Sequence, residues 1–157
     1  MLDTPGATAA ASLRLDSYLP YRLSVASNAV SRLIARAYED RFGLTIPQWR
    51  LIAVLAEFGP LTQQEIGVRT VMDKVTVSRA TQGLVKRRLV QRAPHDADGR
   101  SHHVTLSKAG ERLYGEISPV ALEYEARLLR HFDPAAIESL KQFLAHLERA
   151  AAELASG

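Results

Sequence analysis

Residues 61–110 read LTQQEIGVRTVMDKVTVSRATQGLVKRRLVQRAPHDADGRSHHVTLSKAG, and the punctuation inside this stretch decides the fold. Thr62 followed three residues later by Glu65 has the spacing of a capping box, with Leu61 and Ile66 at the two positions of its apolar staple, so a helix is expected to begin at Thr62. Asp73 can accept from the free amides of a second helix, and Met72 and Val77 provide the staple there. At a period of 3.6, residues 74–88 put Val77, Thr81, Leu84 and Arg88 along one side, flanked by Ala80 and Val85. That side is expected to pack inward, apart from Arg88 at its exposed end. The opposite side carries Val75, Arg79, Gln82 and Lys86, with Thr76 and Ser78 on its edges. A methyl-bearing residue, an arginine, a glutamine and small hydroxyls on one face are the chemistry that reads base edges in a major groove.

Beyond this helix, Leu89–Pro94 and His102–Leu106 are short β-type runs, the second alternating polar with apolar residues. The turn between them, Asp96-Ala97-Asp98-Gly99-Arg100, is rich in residues that tolerate left-handed backbone and presents Arg100 at the tip of a ribbon. A cationic tip beside a groove-reading helix suits the narrow, electronegative minor groove next to it. The charge distribution agrees. From Arg69 to Lys108 there are nine basic residues against three acidic ones, an excess of six; since the whole chain carries +3, the remainder carries −3. Positive charge gathered on one module is the footprint of a phosphate-binding surface.

These features together, and the segment Leu106-Ser107-Lys108-Ala109-Gly110 that follows the ribbon, resemble the winged helix-turn-helix of MarR-type transcriptional regulators. The family's wing has Asp-x-Arg followed by Leu-Thr-x-x-Gly; here Ser107 stands for the threonine and keeps a capping hydroxyl. The resemblance spans residues 18 to 154. It implies a mainly α fold with a small β-hairpin, a winged helix-turn-helix flanked by long dimerisation helices. The implied layout is a flexible terminus over 1–16, a dimerisation region formed by 17–44 and 108–155, and a DNA-binding domain over 45–107. The implied DNA contacts are Thr62, Gln63, Lys74, Val75, Thr76, Ser78, Arg79, Gln82, Lys86 and Arg100, with Asp98 holding the Arg100 guanidinium.

The flanks carry their own signals. Pro20 opens a long helix in which Leu23, Ala26, Val30, Leu33 and Ala37 recur at steps of three and four, and Gly43 closes it. Pro47 starts another, with Leu51, Val54, Leu55 and Phe58 on its apolar side, ended by Gly59-Pro60. A helix from Ser107 to about residue 131 contains Pro119, where a kink or local break is expected. Asp133-Pro134 restarts the chain, and Ile137, Leu140, Leu144, Leu147, Ala151 and Leu154 form a heptad stripe suited to another helix. The first helix and the last two are therefore expected to interleave with those of a second copy. Two recognition helices about one duplex turn apart (~34 Å) would then read a near-palindromic site on double-stranded DNA.

Other classes find little support. There are no cysteines, which removes disulfides, thiolate metal sites and thiol redox switches. His102 and His103 are adjacent on a strand and point to opposite faces, so they cannot chelate one ion together. No nucleophile-base-acid spacing, phosphate-cradling glycine loop or carboxylate pair stands out, so neither enzyme activity nor a cofactor or metal is expected. Met1–Asp16 is too weakly apolar for a secretory signal and no later run could span a bilayer, so a cytoplasmic protein is expected.

In MarR-type regulators a small molecule, often aromatic and anionic, enters between the dimerisation helices and the winged module. The resemblance points to Tyr21, Arg22, Ser24 and Asn28 on the first helix and to Trp49 and Arg50 on the second as effector contacts, an arginine beside an aromatic wall suiting a carboxylate or thioester. Pro20-Tyr21-Arg22-Leu23 and Ile46-Pro47-Gln48-Trp49-Arg50 resemble the branch that responds to coenzyme A thioesters of hydroxycinnamic acids. The expected function is a repressor released from DNA by an aromatic acid or its thioester. A ligand-independent architectural DNA-binding protein of the same fold is the competing expectation.

Overall fold

The computed structural model describes residues 12–94 and 102–157. The order is α1 (Leu19–Phe42), α2 (Ile46–Phe58), β1 (Leu61–Thr62), α3 (Gln63–Thr70), α4 (Lys74–Lys86), β2 (Val90–Pro94), β3 (His102–Leu106), α5 (Lys108–Leu129) and α6 (Pro134–Ser156). The expected hairpin is present, with Val90 opposite Leu106 and Pro94 opposite His102. It is joined by a strand the sequence did not announce: Leu61 and Thr62 pair antiparallel with Val104 and His103, giving the order β1-β3-β2. Two residues are too few to show a period, so only the tertiary placement of Leu61 reveals them as a strand.

The core gathers where the winged module meets α2. Leu44, Leu51, Ile52, Ile66, Leu84 and Ile117 are fully buried, and Val77 and Val104 nearly so. The inward side of α4 is as expected, with Val77, Ala80, Thr81 and Leu84 buried. The Thr81 hydroxyl is satisfied by donating to the Val77 carbonyl at 2.7 Å. One boundary and one burial differ from expectation. Helix α4 ends at Lys86 rather than 88, because Arg88 takes a left-handed conformation (φ 58) that turns the chain into β2. On α2, Ile52 is buried while Phe58 stays 45% exposed, its ring covered by the Arg69 guanidinium at 3.9 Å.

The local break expected at Pro119 is absent: α5 runs through it from Lys108 to Leu129. Pro119 is exposed and the residue whose carbonyl loses its bond, Gly115, has nothing packed within 4 Å of where a side chain would start. The freed carbonyl can therefore turn to water and the helix is kept.

The ends behave unlike the centre. Residues 19–30 of α1 are exposed throughout, including Leu19, Leu23 and Val25, and α1 adds only Tyr38 to the fully buried set. Helix α6 has 23 residues and none is buried; Leu140, Phe143, Leu144 and Leu154 are all exposed. The stripes foreseen on both helices exist, but within one chain they are only partly covered: Ala37, Ile137 and Leu147 are half-buried and the rest stay exposed.

Candidate nucleic-acid interface

Helix α3 begins as its capping box dictates. The Glu65 amide donates to Thr62 Oγ1 at 3.2 Å and the Thr62 amide to Glu65 Oε2 at 2.7 Å. The staple is closed, with Leu61 and Ile66 both buried. The α3–α4 turn passes through Val71, a β-branched residue in the left-handed region (φ 54) and 91% exposed. Gly67 lets the Met72 carbonyl approach to 3.2 Å of its missing Cβ, which sets α3 close against the start of α4.

The second helix is capped by Asp73, whose Oδ1 accepts from the Thr76 amide at 2.8 Å while Oδ2 accepts from the Thr76 hydroxyl at 2.9 Å. The Thr76 amide, then its hydroxyl, hold the Asp73 carboxyl below the ordinary carboxylate range. Thr76 thus contributes to the cap with its proton and leaves its methyl group and lone pairs for an outside partner. Lys74, Val75, Arg79, Gln82 and Lys86 are exposed on α4, and Thr76 and Ser78 are half-buried at its edges, as the 3.6 period requires. Thr62 and Gln63 lie half-buried in the first turn of α3, where the Thr62 hydroxyl also serves the cap by donating to Glu65 at 3.1 Å. The exposed Arg92 and His102 continue the polar surface along β2 and β3. Asp98 and Arg100 lie outside the described residues.

Ser107 joins this surface to α5. Its hydroxyl accepts from the Gly110 amide at 3.0 Å, capping α5, and donates to the Arg88 carbonyl at 2.7 Å. The substitution of serine for threonine in the family pattern therefore keeps the cap.

The effector candidates are placed less uniformly. Trp49 is half-buried, its ring 4.9 Å from that of Tyr38 and stacked on Tyr114 at 6.2 Å. It faces a cavity of about 500 Å³ between α1, α2, α5 and α6, whose wall includes Tyr38, Tyr124, Leu128 and Leu144, with Glu125 and Lys141 as its charged members. Tyr21, Arg22, Ser24, Asn28 and Arg50 are exposed and do not line it within one chain. Neither arginine forms an ion pair among the described residues. Sequence reasoning missed Lys141 and Tyr38, since neither belongs to a recognisable motif.

An exposed helix carrying cations and the Gln82 amide, capped by Asp73 and set beside an antiparallel ribbon, defines a winged helix-turn-helix DNA-binding protein. The chain belongs to the MarR family of transcriptional regulators. The family's model matches residues 42–101. The uncharacterized HTH-type transcriptional regulator YwoH of Bacillus subtilis (strain 168) is 34% identical over 119 residues, covering 74% of this chain and 86% of the relative. A MarR/EmrR family transcriptional regulator from Acinetobacter sp. ADP1 superposes with a TM-score of 0.83 at 26% identity, over 90% of this chain and 99% of that one. A probable transcriptional regulator from Pseudomonas aeruginosa gives 0.74 at 35% identity, over 85% and 99%. These relatives are regulators rather than enzymes. No helix among the described residues is long and apolar enough to cross a membrane.

Arg79 is the exposed arginine at the middle of α4 and the residue best able to pair with both acceptors of a guanine. Arg79→Ala is expected to weaken binding to the preferred site by about 1 to 3 kcal/mol and to relax the preference at one or two bases. Binding measured against a set of single-base variants checks this. Equal loss on every sequence would make Arg79 a phosphate contact instead.

Proposed function

We propose that the chain acts in the cytoplasm as a homodimeric repressor, held on a near-palindromic operator until a small aromatic anion, an acid or its coenzyme A thioester, releases it. The observation that carries this reading is the cavity of about 500 Å³ at the seam of α1, α2, α5 and α6. Its aromatic and aliphatic wall suits a ring, and Lys141 supplies a cation for a carboxylate or thioester. It lies where the exposed stripes of α1 and α6 invite a second copy, so an occupant would act on the helices that set the spacing of the two reading heads. Tyr21, Arg22, Ser24 and Asn28 enter as residues of that dimer face, and Arg50 as an exposed neighbour of Trp49.

Trp49 is the sole tryptophan, so its fluorescence reports entry into the cavity directly. Titration with p-coumaroyl- and feruloyl-type thioesters and their free acids is expected to change that emission and to dissociate the protein from its operator over the same concentrations. A saturating thioester that leaves the DNA complex intact would rule out that branch. Operator binding indifferent to every aromatic acid tested would favour a structural DNA-binding role.

A further inference from the structure

We propose that Arg87 is a positioning residue that locks the tilt of the recognition helix α4 to the dimerisation helix α1. The inference rests on the dimeric reading above. Arg87 is the C-cap residue of α4, directly after the last exposed cation of the reading face, Lys86. Its guanidinium reaches back across the sequence to the end of α1: Nη1 donates to the Gly43 carbonyl at 2.9 Å and Nη2 to the Phe42 carbonyl at 3.1 Å. The carbonyls at a helix end lack partners within their helix and carry the negative end of its dipole, so a cation there is favoured twice. A planar fork on two acceptors fixes orientation as well as distance, which a lysine ammonium cannot do.

The same corner is closed from a second side. Gly83, one turn earlier on α4, lies so near α2 that a Cβ there would meet Gln48 Nε2 at 2.6 Å. Gln48 is itself held in a capping box with Thr45, donating its amide to Thr45 Oγ1 at 3.3 Å and accepting from the Thr45 amide at 3.1 Å. The last turn of α4 is thus seated on the α1–α2 corner by a hydrogen-bonded fork and by a close approach. Trp49, next to Gln48, packs on Tyr38 of α1, and both line the cavity. A displacement of α1 against α2 at the cavity therefore moves the carbonyls that Arg87 holds, and α4 must follow or break the fork.

The absence of cysteine allows a clean test on the whole chain. A single Gln82→Cys carrying a spin label reports the separation of the two α4 helices in the dimer, with and without Arg87→Lys or Arg87→Ala. In parallel, the unlabelled Arg87 variants are titrated with a duplex that the wild-type protein selects from random sequence and with a shuffled duplex. Both substitutions are expected to broaden the distance distribution and to weaken the selected duplex by about two- to thirtyfold. Arg87→Lys should leave the shuffled duplex within about twofold, because the charge is kept. Arg87→Lys with wild-type distances and wild-type affinity for the selected duplex would overturn the proposal and leave Arg87 as a charge only. A wild-type protein that is monomeric would sink the dimeric reading and this one with it, whereas a dimer whose distances ignore both substitutions would sink the role of Arg87 alone.

Discussion

Leu144→Glu combined with Leu154→Glu is expected to convert the protein to a folded monomer whose affinity for its operator falls by about two to four orders of magnitude, the loss of one arm of a bivalent contact. The expectation follows from where these side chains sit. Both belong to the apolar stripe of α6, yet in a single chain Leu144 is 40% and Leu154 85% exposed, and no residue of the 23-residue helix is fully buried. Glutamate at positions already facing water costs the isolated chain little, and glutamate is as good a helix former as leucine. In a dimer the same two substitutions place four carboxylates in an apolar seam, where unpaired charge is strongly disfavoured. Light scattering, far-ultraviolet dichroism and operator titration together check it. A variant that stays dimeric would remove α6 from the interface, and one that unfolds would mean that α6 supports its own chain.

Gly110→Ala is expected to lower stability by about 3 kcal/mol, the upper part of the range for forcing atoms into a packed site. An alanine Cβ at this position would collide with the Leu89 carbonyl oxygen and lie 3.1 Å from its carbon. Both are backbone atoms, and the same carbonyl accepts from the Ser107 amide at 3.0 Å, so it cannot swing aside without losing that bond. The strand leaving α4 would have to separate from the helix entering α5, disturbing the Val90–Leu106 pairing at the base of the ribbon and the Ser107 cap. Denaturant unfolding should show a lower midpoint with an unchanged slope. A loss under about 1 kcal/mol would mean that the junction can relax, contrary to the close approach seen here.

Two glycines illustrate what is and is not legible. Gly43 reads as a left-handed helix end, and it has φ 61 with its amide bonded to the Glu39 carbonyl. Gly110 reads only as part of a family pattern; its reason, the approach of Leu89, lies 21 positions away and has no local mark. Val71 is the converse case. It ends α3 in a left-handed conformation that a sequence reader expects of glycine or asparagine, so its role in the turn was invisible. The Thr45–Gln48 capping box was legible by the same spacing that revealed Thr62 and Glu65, and could have placed the start of α2 at Ile46 rather than Pro47.

Within the site, the exposed polar face of α4 is legible because one capped helix with a 3.6 period assigns every side chain to a side. The cavity is not, because it is bounded by four helices whose mutual placement no single periodicity contains. Hence Trp49 alone of the six effector candidates proves to line it, and Lys141 and Tyr38 join it unannounced.

The sequence alone determined the local order of this protein: where helices begin, which of their faces are apolar, and that cations and a glutamine amide share one side of α4. Those are properties of residues within a few positions of one another, governed by caps, turns and periodicity. Only the tertiary structure decided that β1 completes the sheet, that α5 continues through Pro119, that the stripes of α1 and α6 remain uncovered in one chain, and that Arg87 grips the end of α1. Each of these depends on which distant groups share space, and contacts between residues far apart in the chain are fixed by packing rather than by local preference.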